Sequence, residues 1–175
     1  WTVYGLAARG FKAGGFNLSA PTSMLAFGPE TRWTYEAGVK TSLADDRLLV
    51  NAAIFYIDWE DMQLSQFSAT DGGFVTNAGA SESMGAEIEV VARPAEGLEL
   101  FASFGYTDTE FDSYTDIYGL NVAGNELPYA PETTFGVGAQ YSAPINDDVE
   151  FYVRGEYLDV GMFYYDPGNR LGDSY

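Results

Sequence analysis

The chain contains neither cysteine nor histidine among its 175 residues. Without cysteine it cannot form disulfides or carry out thiol chemistry. Without histidine it lacks the commonest general base and metal ligand, and with them any Ser-His-Asp arrangement. Only 8 Lys and Arg accompany 26 Asp and Glu, which gives a formal charge of −18. This excess of negative charge repels phosphate and excludes nucleic acid as a partner.

Long hydrophobic runs are also missing, although 46% of the residues are hydrophobic. No stretch approaches the roughly 20 apolar residues that a membrane helix needs. We expect no signal peptide at the start, because residues 1–4 already have the pattern of a strand. The composition fits a soluble protein and equally a membrane β-barrel, in which only every second strand residue faces lipid.

A two-residue period is the dominant pattern. Residues 32–43 show it most clearly: Trp33, Tyr35, Ala37 and Val39 alternate with Thr34, Glu36, Gly38 and Lys40. Similar alternation predicts strands near residues 1–11, 48–66, 83–92, 98–107, 133–142 and 149–157. Short turns near 44–47, 94–97 and 144–147 alternate with long polar loops, and Asp-Gly-Gly at 71–73 predicts the tip of one loop.

Short turns at one end and long loops at the other are typical of a transmembrane β-barrel. The sequence therefore predicts an all-β fold, an antiparallel transmembrane β-barrel segment of about seven strands. A soluble β-sandwich binding module also alternates and also uses short turns. Two details favour the barrel: every long loop falls at one end, and the apolar face is poor in Lys, Thr and Ser.

Several short motifs follow one another along the chain. Residues 10–17 read GFKAGGFN, and Pro-Glu at 29–30 is followed by YEAGVK at 35–40. The later motifs are AIFYID at 53–58, DMQ at 61–63, NAG at 77–79, GAEIE at 85–89 and LPYAPET at 127–133. In their order and spacing over nearly the whole chain, these motifs resemble those of TonB-dependent outer-membrane receptors of the iron-siderophore type.

The resemblance implies a fragment of a 22-stranded barrel in a Gram-negative outer membrane, with residues 1–175 as a partial barrel domain. It also implies that the plug domain and the final strands lie outside this chain. The implied function is uptake of a ferric siderophore or similar chelate, with barrel wall and extracellular loops supplied by this segment. Implied partners are the N-terminal plug of the parent chain, the TonB complex through the missing N-terminal part, the ferric ligand and outer-membrane lipid. A plug-less porin or adhesive barrel is the alternative.

Charged residues on the polar face of the predicted strands are candidates for lining the lumen and facing the plug. They are Glu36, Lys40, Glu87, Glu89, Glu99, Arg154 and Glu156. A wet barrel interior carries polar residues in any case, so we expect the set as a whole, rather than each residue, to contact the plug.

Ligand contact is expected from the outer loops. Arg9 directly precedes the GFKAGGFN motif and Lys12 belongs to it, and both could meet an anionic chelate or lipopolysaccharide phosphate. Aromatic side chains offer large contact area at small entropic cost, and the loop candidates are Tyr114, Tyr118, Tyr129, Tyr164 and Tyr165. The same tyrosines could instead belong to the outer aromatic girdle. No catalytic residue, metal site or cofactor is predicted, because the acidic clusters lack EF-hand spacing.

Overall fold

A computed structural model describes residues 1–18, 24–68, 72–116 and 118–170, and these residues form an almost entirely β structure. The described residues form eleven strands, in chain order β1 Thr2–Lys12, β2 Gly15–Phe16, β3 Ala26–Phe27, β4 Glu30–Leu43, β5 Leu48–Glu60, β6 Gln63–Ser68, β7 Gly72–Asn77, β8 Ala80–Ala95, β9 Leu98–Phe111, β10 Thr133–Asn146 and β11 Val149–Val160. None of the described segments holds a helix long and apolar enough to cross a membrane.

Seven long strands form one antiparallel sheet in the order β1-β4-β5-β8-β9-β10-β11. This confirms the predicted all-β segment of seven antiparallel strands, and the sheet is open rather than closed into a barrel. Most of the seven have 11 to 14 residues, and β8 has 16. Tilted strands that span a bilayer need about 9 to 11 residues, so each is long enough.

The sheet has one apolar face, on which aromatic rings stack both along a strand and between strands. Trp33 and Tyr35 of β4 lie 6.0 Å apart between ring centroids, and Tyr35 lies 6.5 Å from Tyr56 of β5. Strand register then continues this face through Ile88, opposite Phe104, on β8 and β9. These side chains remain 37% to 46% exposed in the sheet, which is the arrangement of a lipid-facing barrel surface.

The opposite face is polar, and three of its aromatic rings each lie over a glycine of the neighbouring strand. Tyr4 covers Gly38, Phe55 covers Gly85 and Phe101 covers Gly138. A Cβ at each of these glycines would collide with the ring. Such pairs replace the missing side chain and fix strand register. They also explain Phe101, which breaks the alternation of its strand.

The three short turns lie at the same end of the sheet. Ala44, Asp45 and Asp46 have φ of 54°, 56° and 65° between β4 and β5. Gly97 has φ of 74° between β8 and β9, and a side chain there would strike the Ser142 carbonyl. Only glycine meets both requirements without strain.

At the other end the structure differs from the prediction that the third strand continues to about residue 66. The strand ends at Glu60, because Asp61 adopts φ of 55° and interrupts the ladder. The chain then forms the separate hairpin β6–β7. The turn predicted at 71–73 lies partly outside the described residues, which begin again at Gly72 with φ of 76°.

Candidate functional site

The connections at the end of the sheet opposite the three short turns, which we call the outer end, assemble into one body. We call this body the cap, and it comprises described residues 13–18, 24–29, 61–68, 72–79, 112–116, 118–132 and 161–170. Its hydrophobic core is formed by Leu64, Ala78, Tyr114, Val122 and Leu127 together with Phe111 at the end of β9, and Trp59, Met62 and Ala130 pack against it. Phe111 is completely buried. Because Phe111, Ser81 and Thr109 belong to the polar face and are all buried, the cap folds over the polar side of the sheet.

Asn17, the last residue of the GFKAGGFN motif, fastens the first loop to the hairpin. Its Nδ2 donates to the carbonyls of Met24, at 2.7 Å, and Val75, at 2.8 Å. Its Oδ1 accepts from the Val75 N–H at 2.8 Å. The buried amide therefore imitates a strand partner for residue 75 and satisfies backbone groups that would otherwise be unpaired.

Two further amides join the same loops. Gln63 Nε2 donates to the Ala13 carbonyl at 2.9 Å and to the Gly28 carbonyl at 3.1 Å. Asn77 Oδ1 accepts from the Gly28 N–H at 2.7 Å, while its Nδ2 donates to the Asp61 carbonyl at 2.7 Å. Loops distant in sequence are thus held in one arrangement by side chains that donate and accept at once.

The loop between β9 and β10 is fastened to the segment after β11. Asn169 Oδ1 accepts from the Glu126 N–H at 2.7 Å, and its Nδ2 donates to the Glu126 carbonyl at 3.0 Å. Buried Asp116 accepts the N–H groups of Tyr118 and Leu120 and pairs with Arg170 at 3.6 Å. A buried carboxylate is tolerated when it is paired and hydrogen-bonded in this way.

The predicted loop tyrosines occupy three environments. Tyr114 lies inside the cap core, where its hydroxyl accepts from Gln66 Nε2 at 2.8 Å and lies 3.3 Å from Thr76 Oγ1. Burial raises the pKa of the Tyr114 hydroxyl, so the group stays neutral. Tyr118 is 68% exposed and lies under the Arg170 guanidinium. Tyr114 therefore holds the cap together, whereas Tyr118 presents its ring outward.

Tyr129, Tyr164 and Tyr165 come together at the edge of the cap. Tyr129 has φ of 62°, and its N–H donates to the Tyr164 carbonyl at 2.8 Å. Its ring meets Tyr165 edge-on, with centroids 5.7 Å apart, and Phe163 completes the group. A left-handed conformation is costly for a bulky residue, and here the aromatic group and the hydrogen bond hold it.

The charged residues predicted to line the lumen all belong to the polar face of the sheet. Glu36 accepts a hydrogen bond from the Tyr4 hydroxyl at 2.5 Å, and Lys40 lies over the Tyr4 ring. Arg154 stacks on Phe101 at 4.2 Å and pairs with Glu156 at 2.8 Å. The side chains are thus positioned by the same aromatic rings that cover the glycines.

The remaining members of that set lie toward the short turns. Glu99 pairs with Arg93 at 2.8 Å, and Glu89 lies 3.5 Å from Asn51 Nδ2. Glu87 is exposed between them and the cap. The structure therefore places all seven predicted residues on one face but divides them into separate small groups.

Arg9, just before the predicted motif, and Lys12, within it, lie on opposite faces. Arg9 is opposite Trp33 in strand register on the apolar face, whereas Lys12 is opposite Glu30 on the polar face. Arg32 lies beside Lys12 on the polar face, and its guanidinium is 5.5 Å from the centroid of the Trp59 ring. Arg32 was not among the predicted site residues, although its even position continues the series of Glu36 and Lys40.

Acidic groups at the outer end of the apolar face could in principle hold a cation. Glu82, Glu110 and Asp112 place carboxylate oxygens within 4.8 Å of one another, and Tyr56 donates to Glu82 at 2.7 Å. Burial, followed by the charges of Glu82 and Asp58, raises the pKa of Asp112. Two of the three acids are exposed, and no further feature of the residues that the structure describes indicates a metal there.

Comparison with known proteins agrees with this arrangement. The whole chain, residues 1–175, matches the family described as TonB dependent receptor-like, beta-barrel. The pesticin receptor of Yersinia enterocolitica is 30% identical over 176 residues, covering 98% of this chain and 24% of the receptor. The metal-pseudopaline receptor CntO of Pseudomonas aeruginosa is 30% identical, covering 98% of this chain and 22% of the receptor.

A solved structure shows the same fold. The ferric yersiniabactin uptake receptor FyuA of Yersinia pestis superposes with a TM-score of 0.76 at 28% identity, covering 97% of this chain and 25% of FyuA. The chain spans about a quarter of the length of the curated relatives it matches. Because the family match extends over all 175 residues, this chain belongs to the family of TonB-dependent receptor β-barrels.

Proposed function

We propose that this chain is the wall and extracellular loop segment of an outer-membrane receptor that imports a ferric siderophore or similar chelate with energy from TonB. The observation that carries the proposal is that the two faces of the sheet differ in chemical character. An apolar face bears stacked rings suited to lipid, while a polar face is covered at its outer end by a folded cap. This arrangement suits a wall between lipid and a wet interior.

The relatives support the chemical class of the cargo. Their names refer to pesticin, to metal-pseudopaline, to catecholate siderophores and to ferric yersiniabactin. Most of these are metal chelates, so we assign a ferric siderophore or similar chelate as cargo. The role requires capture and passage of the chelate, with no bond made or broken by this segment. Location in the outer membrane of a Gram-negative bacterium follows from the same proposal.

The plug of the parent chain is the proposed partner of the polar face. Exposed charges there are available for contact with a domain inside the barrel, notably Glu87 and Glu89, and TonB would act on the part of the parent that precedes this segment. A plug-less porin or adhesive barrel would leave the same face in contact with water alone. A soluble β-sandwich would need two large facing sheets, whereas the described strands form one large sheet and two small hairpins.

Uptake in living cells tests the proposal. The full-length receptor is expressed in an iron-starved strain that lacks its own siderophore receptors, and radioactive iron is offered as a panel of ferric chelates. We expect uptake of at least one chelate, and loss of that uptake when TonB is deleted. Entry that persists without TonB and depends only on solute size would contradict the receptor and favour the porin.

A further inference from the structure

Two positively charged side chains share the outer end of the polar face. Lys12 and Arg32 belong to neighbouring strands, with Gly10 opposite Arg32 and Lys12 opposite Glu30. Together with Gly10, Phe11 and Glu30 they line a cavity of about 240 Å³. The cavity lies beside the cap, whose buried core covers β8 and β9 rather than β1 and β4.

Both cations are free to receive an anion. The ion pairs among the described residues involve Arg93, Arg154 and Arg170, and neither Lys12 nor Arg32 takes part in one. Glu30 also lines the cavity, but its Oε2 accepts a hydrogen bond from the Gln63 N–H at 2.7 Å, which directs that carboxylate toward the cap. In a chain of net charge −18, two unpaired cations on one cavity are a local exception.

Trp59 positions the guanidinium. The Arg32 side chain lies with its charged group 5.5 Å from the centre of the indole. A guanidinium stacked on a ring keeps its N–H edge free to bind a planar anion with two parallel hydrogen bonds.

We infer that Arg32, stacked on Trp59 and assisted by Lys12, forms an anion subsite that receives one carboxylate or phenolate arm of the ferric chelate. This inference rests on the proposed function and names the charge class of its cargo. The size of the cavity supports a single arm, because sites that enclose a whole small molecule measure about 300 to 1,000 Å³. Oxyanion donors are the ordinary ligands of a hard ferric ion, so an anionic arm is chemically available.

Binding measurements on the purified full-length receptor test the subsite. The probes are ferric citrate, ferric enterobactin and ferric yersiniabactin as anionic or oxyanion-bearing chelates, and ferrichrome as a neutral one. The variants are Arg32→Gln, Arg32→Lys, Lys12→Gln and, as a matched control, Arg47→Gln, a cation in the turn at the opposite end of the sheet. Each variant is first checked for the folded, heat-modifiable barrel.

We expect Arg32→Gln to raise the Kd of the bound anionic chelate at least about tenfold, which is the loss of one charge-assisted hydrogen bond. Lys12→Gln raises it less. Arg32→Lys raises it by an intermediate amount, because the ammonium keeps the charge but cannot make two parallel hydrogen bonds. Arg47→Gln has no effect. If Arg32→Gln fails to fold, the dependence of Kd on salt concentration is compared between the wild type, Arg32→Lys and Lys12→Gln instead.

Three results would overturn the subsite. The first is unchanged affinity in Arg32→Gln and Lys12→Gln, and the second is an equal loss in Arg47→Gln, which would indicate a general charge effect. The third is preference for neutral ferrichrome over every anionic probe, which would leave the receptor function intact. If no chelate binds the wild-type receptor, the proposed function itself fails, and the subsite fails with it.

Discussion

The wall and the cap are built on different physical principles. Every buried hydrophobic side chain among the described residues belongs to the cap or to the strand ends beneath it: Leu64, Phe74, Ala78, Phe111, Tyr114, Val122 and Leu127. In the wall, apolar side chains such as Ile54 and Phe104 stay 63% and 46% exposed. The cap therefore folds around a core as a soluble domain does, while the wall matches its surface to lipid.

This difference separates two sources of stability. Removal of apolar surface from water stabilises the cap, whereas hydrogen-bonded ladders and surrounding lipid stabilise the wall. Changes in one region should therefore leave the other intact. Under the proposed function, this separation allows the loops to be arranged for a ligand without altering the barrel.

The largest expected effect is on the cap. Phe111→Ala leaves a cavity in its core, and we expect the free energy of cap opening to fall by about 3–5 kcal/mol. Amide hydrogen exchange of residues 61–79 in the full-length receptor measures this. Phe135→Ala, on the apolar face at 41% exposure, serves as the control and should leave cap exchange unchanged. Equal acceleration in both variants would refute the separation of cap and wall.

Gly138→Ala is the complementary change, because it strains the wall instead of the cap. The new methyl group would collide with the Phe101 ring and displace Arg154 from it. Overpacking of this kind costs about 1–3 kcal/mol, so we expect a lower melting temperature of the barrel with normal exchange in the cap. Gly155→Ala is the control, since nothing lies within 4 Å of its added Cβ. A similar loss in both variants would argue against the ring-over-glycine contact.

The sequence was sufficient to predict the wall, because a strand that separates two different environments has residue types that alternate with a period of two. Phe101 broke that period, and only strand register explains it, since its partner Gly138 lies 37 positions away. Arg32 was predictable from its even position in β4. It was not predicted as a site residue, because it stands one position before the alternating run that begins at Trp33.

The cap could not be predicted in the same way. Its core residues come from separate loops and show no common period, so no local pattern identifies Leu64, Val122 and Leu127 as neighbours. The end of β5 before Asp61 was equally unpredictable from the sequence, because apolar residues continue past Asp61 at strand-like spacing. Tertiary packing decides both features.

Asn17→Ala tests how the loops of the cap are joined. The change removes the three hydrogen bonds to Met24 and Val75, and an unsatisfied buried backbone group costs about 1–3 kcal/mol. We expect faster exchange at the Val75 amide, with the core of the cap unchanged. Asn51→Ala removes only a 3.5 Å contact to Glu89 in the wall and should have no effect at residue 75. Slow exchange at Val75 in Asn17→Ala would show that the amide is dispensable.

The smallest expected effect is a dependence of the cap on pH. Burial, followed by the charges of Glu132 and Asp108, raises the pKa of Glu126 above its ordinary value of 4.5. The folded cap thus binds this proton more tightly than the unfolded chain does. Its contribution to stability is fully present below pH 4.5 and is lost as the pH rises through the raised pKa.

Glu126→Gln fixes the neutral form and should flatten that part of the pH profile of cap exchange. Glu150→Gln, an exposed acid of β11, is the control. A profile that keeps its slope in Glu126→Gln would assign the dependence to another group.

The central claim, that one face of the wall meets lipid and the other meets a wet interior, is tested most directly by spin labels at two adjacent positions. Because the chain has no cysteine, single cysteines can be placed at Glu87 and Ile88 of the full-length receptor in a bilayer, provided that the rest of the parent is also free of cysteine. Power saturation should show Ile88 accessible to oxygen dissolved in lipid, and Glu87 shielded from it. Equal or reversed accessibility would contradict the account.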